Sequence, residues 1–224
     1  MKKDAILFFI ILLFHLVVIN PTDYLLLNFE FLAQGSVFNE SNGKTEFILY
    51  NYLLSMGMII IFVSMIFKSI SQTLNLKDYI ITRCGHLKFK MIVIKVALTA
   101  IFKILAIKQI IYILFFIKTQ SFTLFYFYDM ISTFLTLIMF SLVFIVLKLQ
   151  GVKDKILLFG VIFLHMISQI LSYNNIIFSI IVIASINWEA IYAYILIAKI
   201  VVIVTSIFIL LSLKNLDKTI GVKE

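Results

Sequence analysis

The chain has 224 residues, of which 63% are hydrophobic and 13% charged, with a mean hydropathy of +1.14. Soluble domains carry about a quarter charged residues, so this composition excludes a soluble enzyme and predicts a multi-pass protein of the cell membrane, built as one domain over 1–224. The net charge of +8 would point to nucleic acid in a soluble protein, but here the basic residues flank apolar runs, so membrane lipids are the expected neighbours and no nucleic acid is expected.

In chain order, Met1 to Asp4 is followed by an apolar run that ends before Asn20, Pro21 and Asp23 with no small-x-small cleavage site, which predicts an uncleaved first span over 5–19. Residues 20–46 hold Asp23, Glu30, Glu40 and Glu46 against Lys44 alone, with Gly35 and Gly43 as turn residues, and read as an outer loop. Its apolar piece, 24–32, is too short to cross a bilayer and suits an interfacial half helix. The second span is predicted over 47–67. Then comes a polar stretch, Asn75 to Lys95, with Lys77, Asp78, Arg83, Gly85, His86, Lys88 and Lys90, which reads as a short cytoplasmic elbow between spans 2 and 3. A short helix over Leu74–Thr82 would set Leu76, Tyr79 and Ile80 on one face, as a docking helix requires.

The third span is predicted over 96–117, and the aromatic segment from Phe122 to Asp129 then fits an outer membrane boundary. The fourth span, 130–147, ends in a basic loop, Lys148 to Lys155, with Gly151 at its turn; the fifth covers 156–171. Residues 176–186 form an apolar run too short to span, suited to a re-entrant or interfacial piece, and the sixth span covers 190–213. Fourteen Lys and Arg fall in the predicted cytoplasmic segments and two, Lys44 and Lys118, outside the spans on the other side. By the positive-inside rule both termini are then cytoplasmic. The expected fold is an all-α membrane protein with six transmembrane helices.

No GxxxxGK[ST] loop or His-Glu-x-x-His motif occurs, His15, His86 and His165 are scattered, and Cys84 is the only cysteine, so no catalytic, cofactor-binding or metal residues are expected in this chain. Every Asp and Glu is read as lying in a loop or at a span edge. Three lysines fall within predicted spans. Lys103 is close enough to its span's start to snorkel, whereas Lys108 and Lys199 lie nearer the middle. Lys103 and Lys108 are roughly 140° apart on a helix wheel, so they cannot share a face. Lys108 and Lys199 are read as snorkelling residues, or as a sign that the span ends are misjudged, or as facing an intramembrane polar path or an oligomer interface.

Tyr79, Arg83 and Gly85, followed by Lys88 and Lys90, resemble the loop between the second and third spans of ABC type 2 exporter permeases, especially the small bacteriocin or lantibiotic type of Gram-positive bacteria. His86 stands where that family commonly has Ser and Phe89 where it often has Trp, while the ending LSLKNLDKTI, with Asp217, resembles its short basic tail. The resemblance implies a permease subunit that pairs with a second one as a homo- or heterodimer and exports a peptide or amphiphile. A separate cytoplasmic ABC ATPase would carry the ATP and Mg. It also implies that the elbow, through Leu76, Asp78, Tyr79 and Arg83, docks that ATPase. Arg83 is the only arginine among 19 basic residues, and its planar fork suits a bidentate pair with Asp78 or with an acid on the ATPase. Two other classes remain open: a membrane immunity or accessory protein that binds a toxin without transport, and the binding component of a small-solute carrier.

Overall fold

A computed structural model describes residues 38–41, 44–47, 49–119, 125–183 and 191–212. The predicted first span over 5–19, the piece at 24–32 and the basic tail with Asp217 lie outside the described residues. The described part opens with a two-stranded antiparallel hairpin, β1 (Phe38–Ser41) and β2 (Lys44–Phe47), in register from Phe38 opposite Phe47 to Ser41 opposite Lys44. Every other described element is a helix, in keeping with the expected all-α fold. The two residues between the strands are Asn42 and Gly43, the dipeptide favoured for two-residue hairpin connections.

Helix α1 (Leu49–Leu74, 26 residues) covers the predicted second span from residue 49 on, its expected first residue, Phe47, closing β2 instead, and runs past its expected end at residue 67. Its buried stripe explains why: Ile59, Phe62, Val63, Ile66, Ile70 and Leu74 recur at helical spacing, so the core-facing seam continues beyond the exposed Lys68. After a turn at Asn75 and Leu76, α2 spans Lys77–Thr119 and is interrupted at Gly85, whose φ of 80° and ψ of 164° break the helical backbone. That conformation is essentially reserved for glycine. The break divides α2 into a short leading helix and a long helix that buries Phe89, Val93, Ala97, Ile101, Ile104 and Tyr112 along one stripe.

Helix α3 (Phe125–Leu149) is central, packing on α1, α2, α4 (Asp154–Leu171) and α6 (Tyr192–Ser212). It ends in a Schellman arrangement: Gly151, at φ 92°, donates its N–H to the Lys148 carbonyl at 3.0 Å and Val152 donates to Leu147 at 3.2 Å. That turn sends α4 back antiparallel. Helix α5 is one short turn, Ile176–Ser179, capped by the Asn175 side chain, which accepts from the Ile177 N–H at 2.9 Å. The chain then bends through Val182 and Ile183 into the bundle, in keeping with the expectation that 176–186 does not span. Its last residues lie outside the described part.

Four stretches are long and apolar enough to cross a membrane: Ser55–Leu74, Phe127–Leu149, Asp154–Leu171 and Tyr192–Ser212. Helix α2, with Lys95, Lys103 and Lys108 along it, is not among them. The outer faces of α4 and α6 expose Phe159, Phe163, Ile170, Ile197, Val204 and Phe208, the surface a lipid environment would cover. At the far end of α6, the buried Lys90 of α2 donates to the Leu211 carbonyl at 3.2 Å, satisfying one acceptor that a terminal helical turn leaves open. Burial holds this ammonium below the ordinary lysine value.

Candidate functional site: a buried ionic network

One face of α3 is polar although the helix is the most deeply buried of the four candidate spans. Asp129, Ser132, Thr133 and Thr136 recur at i, i+3, i+4 and i+7, so all four point the same way, and all are fully buried. Helix α2 sets Lys108 and Tyr112, one turn apart, against the upper half of this stripe. The Lys108 Nζ lies 2.5 Å from Asp129 Oδ2 and donates to Thr133 Oγ1 at 2.9 Å, while the Tyr112 hydroxyl donates to the same carboxylate oxygen. The lysine also sits 5.5 Å from the Tyr112 ring centroid. The Asp129 carboxylate thus ties two helices at a depth where little water competes.

Helix α6 brings the third charge. The Lys199 Nζ donates its three N–H groups to Ser132 Oγ at 2.6 Å, Thr136 Oγ1 at 2.7 Å and the Val182 carbonyl at 2.7 Å, with the Ile183 carbonyl as a shared, longer contact at 3.3 Å. Ser132 donates in turn to the Ile183 carbonyl, and Thr136 to that of Val182 at 3.4 Å. Those carbonyls belong to the bent segment after α5. Non-helical backbone inside a bundle needs such partners. Lys199 therefore pins this segment to α3, and it does so with neutral oxygens rather than a carboxylate.

A second polar seam faces inward from α4. His165, Ser168 and Gln169 are buried at i, i+3 and i+4, and Gln169 donates through Nε2 to Ser55 of α1. His165 packs edge-on against Phe140 at 6.2 Å. Both its ring nitrogens, Ser168 Oγ, Gln169 Oε1, Ser179 Oγ and Asp129 Oδ1 are buried without a hydrogen-bond partner among the described residues. Helix α4 is polar within and apolar without, the reverse of a soluble amphipathic helix.

Lys108 and Lys199, the two lysines singled out from the sequence, are both in this network. They hold opposite sides of the α3 stripe, and they are buried rather than snorkelling. Lys103 is exposed, as the wheel angle requires. Asp129 is the residue sequence reasoning missed: it was read as the last residue of an outer aromatic turn, but α3 starts at Phe125 and carries it inside. The signal was the helical spacing of Asp129, Ser132, Thr133 and Thr136 within an apolar run.

The elbow residues lie apart from the network, at the opposite end of the bundle. Leu76 is 57% exposed and Tyr79 56%, whereas Ile80 is half-buried against the core, so the expected face is split. Arg83 stacks over the Tyr79 ring at 4.3 Å from the guanidinium carbon to the centroid. It makes no ion pair with Asp78, which corrects the expected pairing within the elbow: five residues separate the two, and on a helix that is about 140° of rotation. No group of His, Cys, Asp or Glu able to hold a metal occurs among the described residues.

These features define the class as an apolar helical bundle with four helices able to cross a membrane and a charged interior. Comparisons with protein-family models, with curated proteins and with solved structures find no match.

Proposed function

We propose that the chain is the membrane-spanning permease subunit of an ABC type 2 exporter, with six spans and both termini in the cytoplasm. In this reading it pairs with a second permease subunit, and a separate ATPase binds ATP and Mg and drives export of a peptide or amphiphile. The observation that carries it is the short helix cut from α2 by Gly85, which leaves Leu76 and Tyr79 open to solvent at the basic end of the bundle. Leu76 and Tyr79 together offer a partner an apolar contact outside the lipid-facing belt, and an ATPase groove is the partner the resemblance implies. The test is co-purification of the tagged protein from its native membrane. A stoichiometric ATPase is expected, and it should be lost in the Leu76→Asp/Tyr79→Asp variant at unchanged membrane level. Undiminished ATPase with that variant overturns the docking site.

The ionic network favours a second reading, the binding component of a small-solute carrier, because buried ionisable groups inside a membrane bundle mark solute or ion pathways. Absence of any ATPase from the unmodified protein's complex would favour it, or the membrane immunity or accessory protein, over the permease.

A further inference from the structure

A cleft of about 270 Å³ opens where the basic ends of α1, α3 and α4 meet. Its lining is mostly apolar: the half-buried Leu158 closes one side over Phe67 and Phe144, which pack ring on ring at 3.8 Å and are themselves buried. Its rim carries two exposed lysines, Lys68 and Lys155. The one acid on the rim, Asp154, is already engaged, with Lys148 Nζ 2.5 Å from its Oδ1 and Ser71 Oγ donating to its Oδ2 at 2.5 Å. Lys68 and Lys155 have no ion pair among the described residues. Lys68, Lys148 and Lys155 set against Asp154 leave an excess of two positive charges around an apolar slot.

We infer that this cleft binds one anionic phospholipid, with its phosphodiester between Lys68 and Lys155 and the start of an acyl chain against Leu158 and the apolar stems of the two lysines. The two halves of the site exclude the simpler ligands. A free phosphate or a nucleotide would answer the lysines and leave the apolar lining of the cleft uncovered, whereas a zwitterionic lipid brings its own cation to a rim that already has two. A lipid of net negative charge answers both. The position agrees, because the cleft lies at the ends of the candidate spans Ser55–Leu74 and Asp154–Leu171, where anionic head groups meet basic side chains. This inference goes beyond the permease reading and does not depend on it.

The experiment is a thermal-shift titration of the purified full chain in uncharged detergent with dioleoyl phosphatidylglycerol, alongside dioleoyl phosphatidylcholine, glycerophosphoglycerol without acyl chains, and inorganic phosphate. Phosphatidylglycerol alone should raise the melting temperature. Near an anionic surface each lysine is worth about a fivefold factor in affinity, so the Lys68→Gln/Lys155→Gln double variant should bind about 25-fold more weakly. Both side chains are exposed, so the variant keeps its fold. Lys153→Gln, exposed and outside the cleft, should bind as the unmodified protein does. Equal weakening by Lys153→Gln would reduce the effect to general surface charge and overturn the site. Equal stabilisation by glycerophosphoglycerol or by phosphate would overturn the lipid as its occupant.

Discussion

At the scale of single residues, the Lys108–Asp129 pair carries the strongest energetic consequence. Removing one partner of a buried pair leaves an uncompensated charge and costs about 3–5 kcal/mol, whereas neutralising both is often close to neutral. Lys108→Met should therefore destabilise the protein sharply, since Asp129 then keeps only the Tyr112 hydroxyl on Oδ2. The double variant Lys108→Met/Asp129→Asn should recover most of the loss, because the asparagine carbonyl still accepts from Tyr112. Urea or thermal unfolding in detergent measures both. A double variant no more stable than the single one would mean that the pair is not the unit holding α2 to α3. The two lysines were legible in the sequence because Lys in an apolar run is conspicuous. Asp129 was hidden by its neighbours: four aromatic residues precede it, and an aromatic cluster followed by an acid looks like a membrane boundary. Only the pairing across α2 and α3 shows that the helix begins earlier and takes the acid inside.

At the scale of elements, Gly85 decides where the elbow stops and the long helix begins. Its φ and ψ lie where an L side chain is strained, although a Cβ there would meet nothing within 4 Å, so the cost of substitution is in the backbone and not in packing. Gly85→Ala should cost about 1–3 kcal/mol, or should straighten α2 and swing the short helix away from its present direction. Gly160 supplies the comparison. It is exposed in the middle of α4 with an ordinary φ and open space around it, so Gly160→Ala should stabilise the helix by up to about 1 kcal/mol. The contrast is read by melting temperature, and by the accessibility of Cys84, next to the break, to a thiol reagent. Equal responses at the two glycines would show that the break imposes no strain. The elbow was legible because its residues are polar among apolar neighbours. The extension of α1 past Lys68 was not, since a charge in a stripe of core residues looks like an end until Ile70 and Leu74 are seen buried beyond it.

At the scale of the whole molecule, the described helices put charge at one end and hydrogen-bonded polar groups at depth. Lys68, Lys77, Arg83, Lys88, Lys148, Lys153 and Lys155 gather where α1 meets α2 and where α3 meets α4, while the Asp129 network and the bent segment after α5 lie toward the other end. Such an asymmetry orients a membrane protein with its basic end in the cytoplasm. In the proposed six-span reading, where α2 also crosses, the turns at Asn75 and Gly151 lie inside and the turn at Asn174 and Asn175 lies outside. Cys84 tests the arrangement cleanly, because it is the only cysteine of the chain and it is exposed at the basic end. A membrane-impermeant maleimide should leave Cys84 unlabelled in intact cells and label it once the membrane is permeabilised. A cysteine introduced as Asn174→Cys in a Cys84→Ser background should do the reverse, reacting in intact cells, since the turn after α4 is exposed and at the opposite end. Labelling of Cys84 in intact cells would invert the bundle and put the Leu76 and Tyr79 surface out of reach of any cytoplasmic ATPase. Labelling at neither position before permeabilisation would place both turns on the same side, against the proposed six-span reading, in which α2, α3 and α4 all cross between residues 84 and 174.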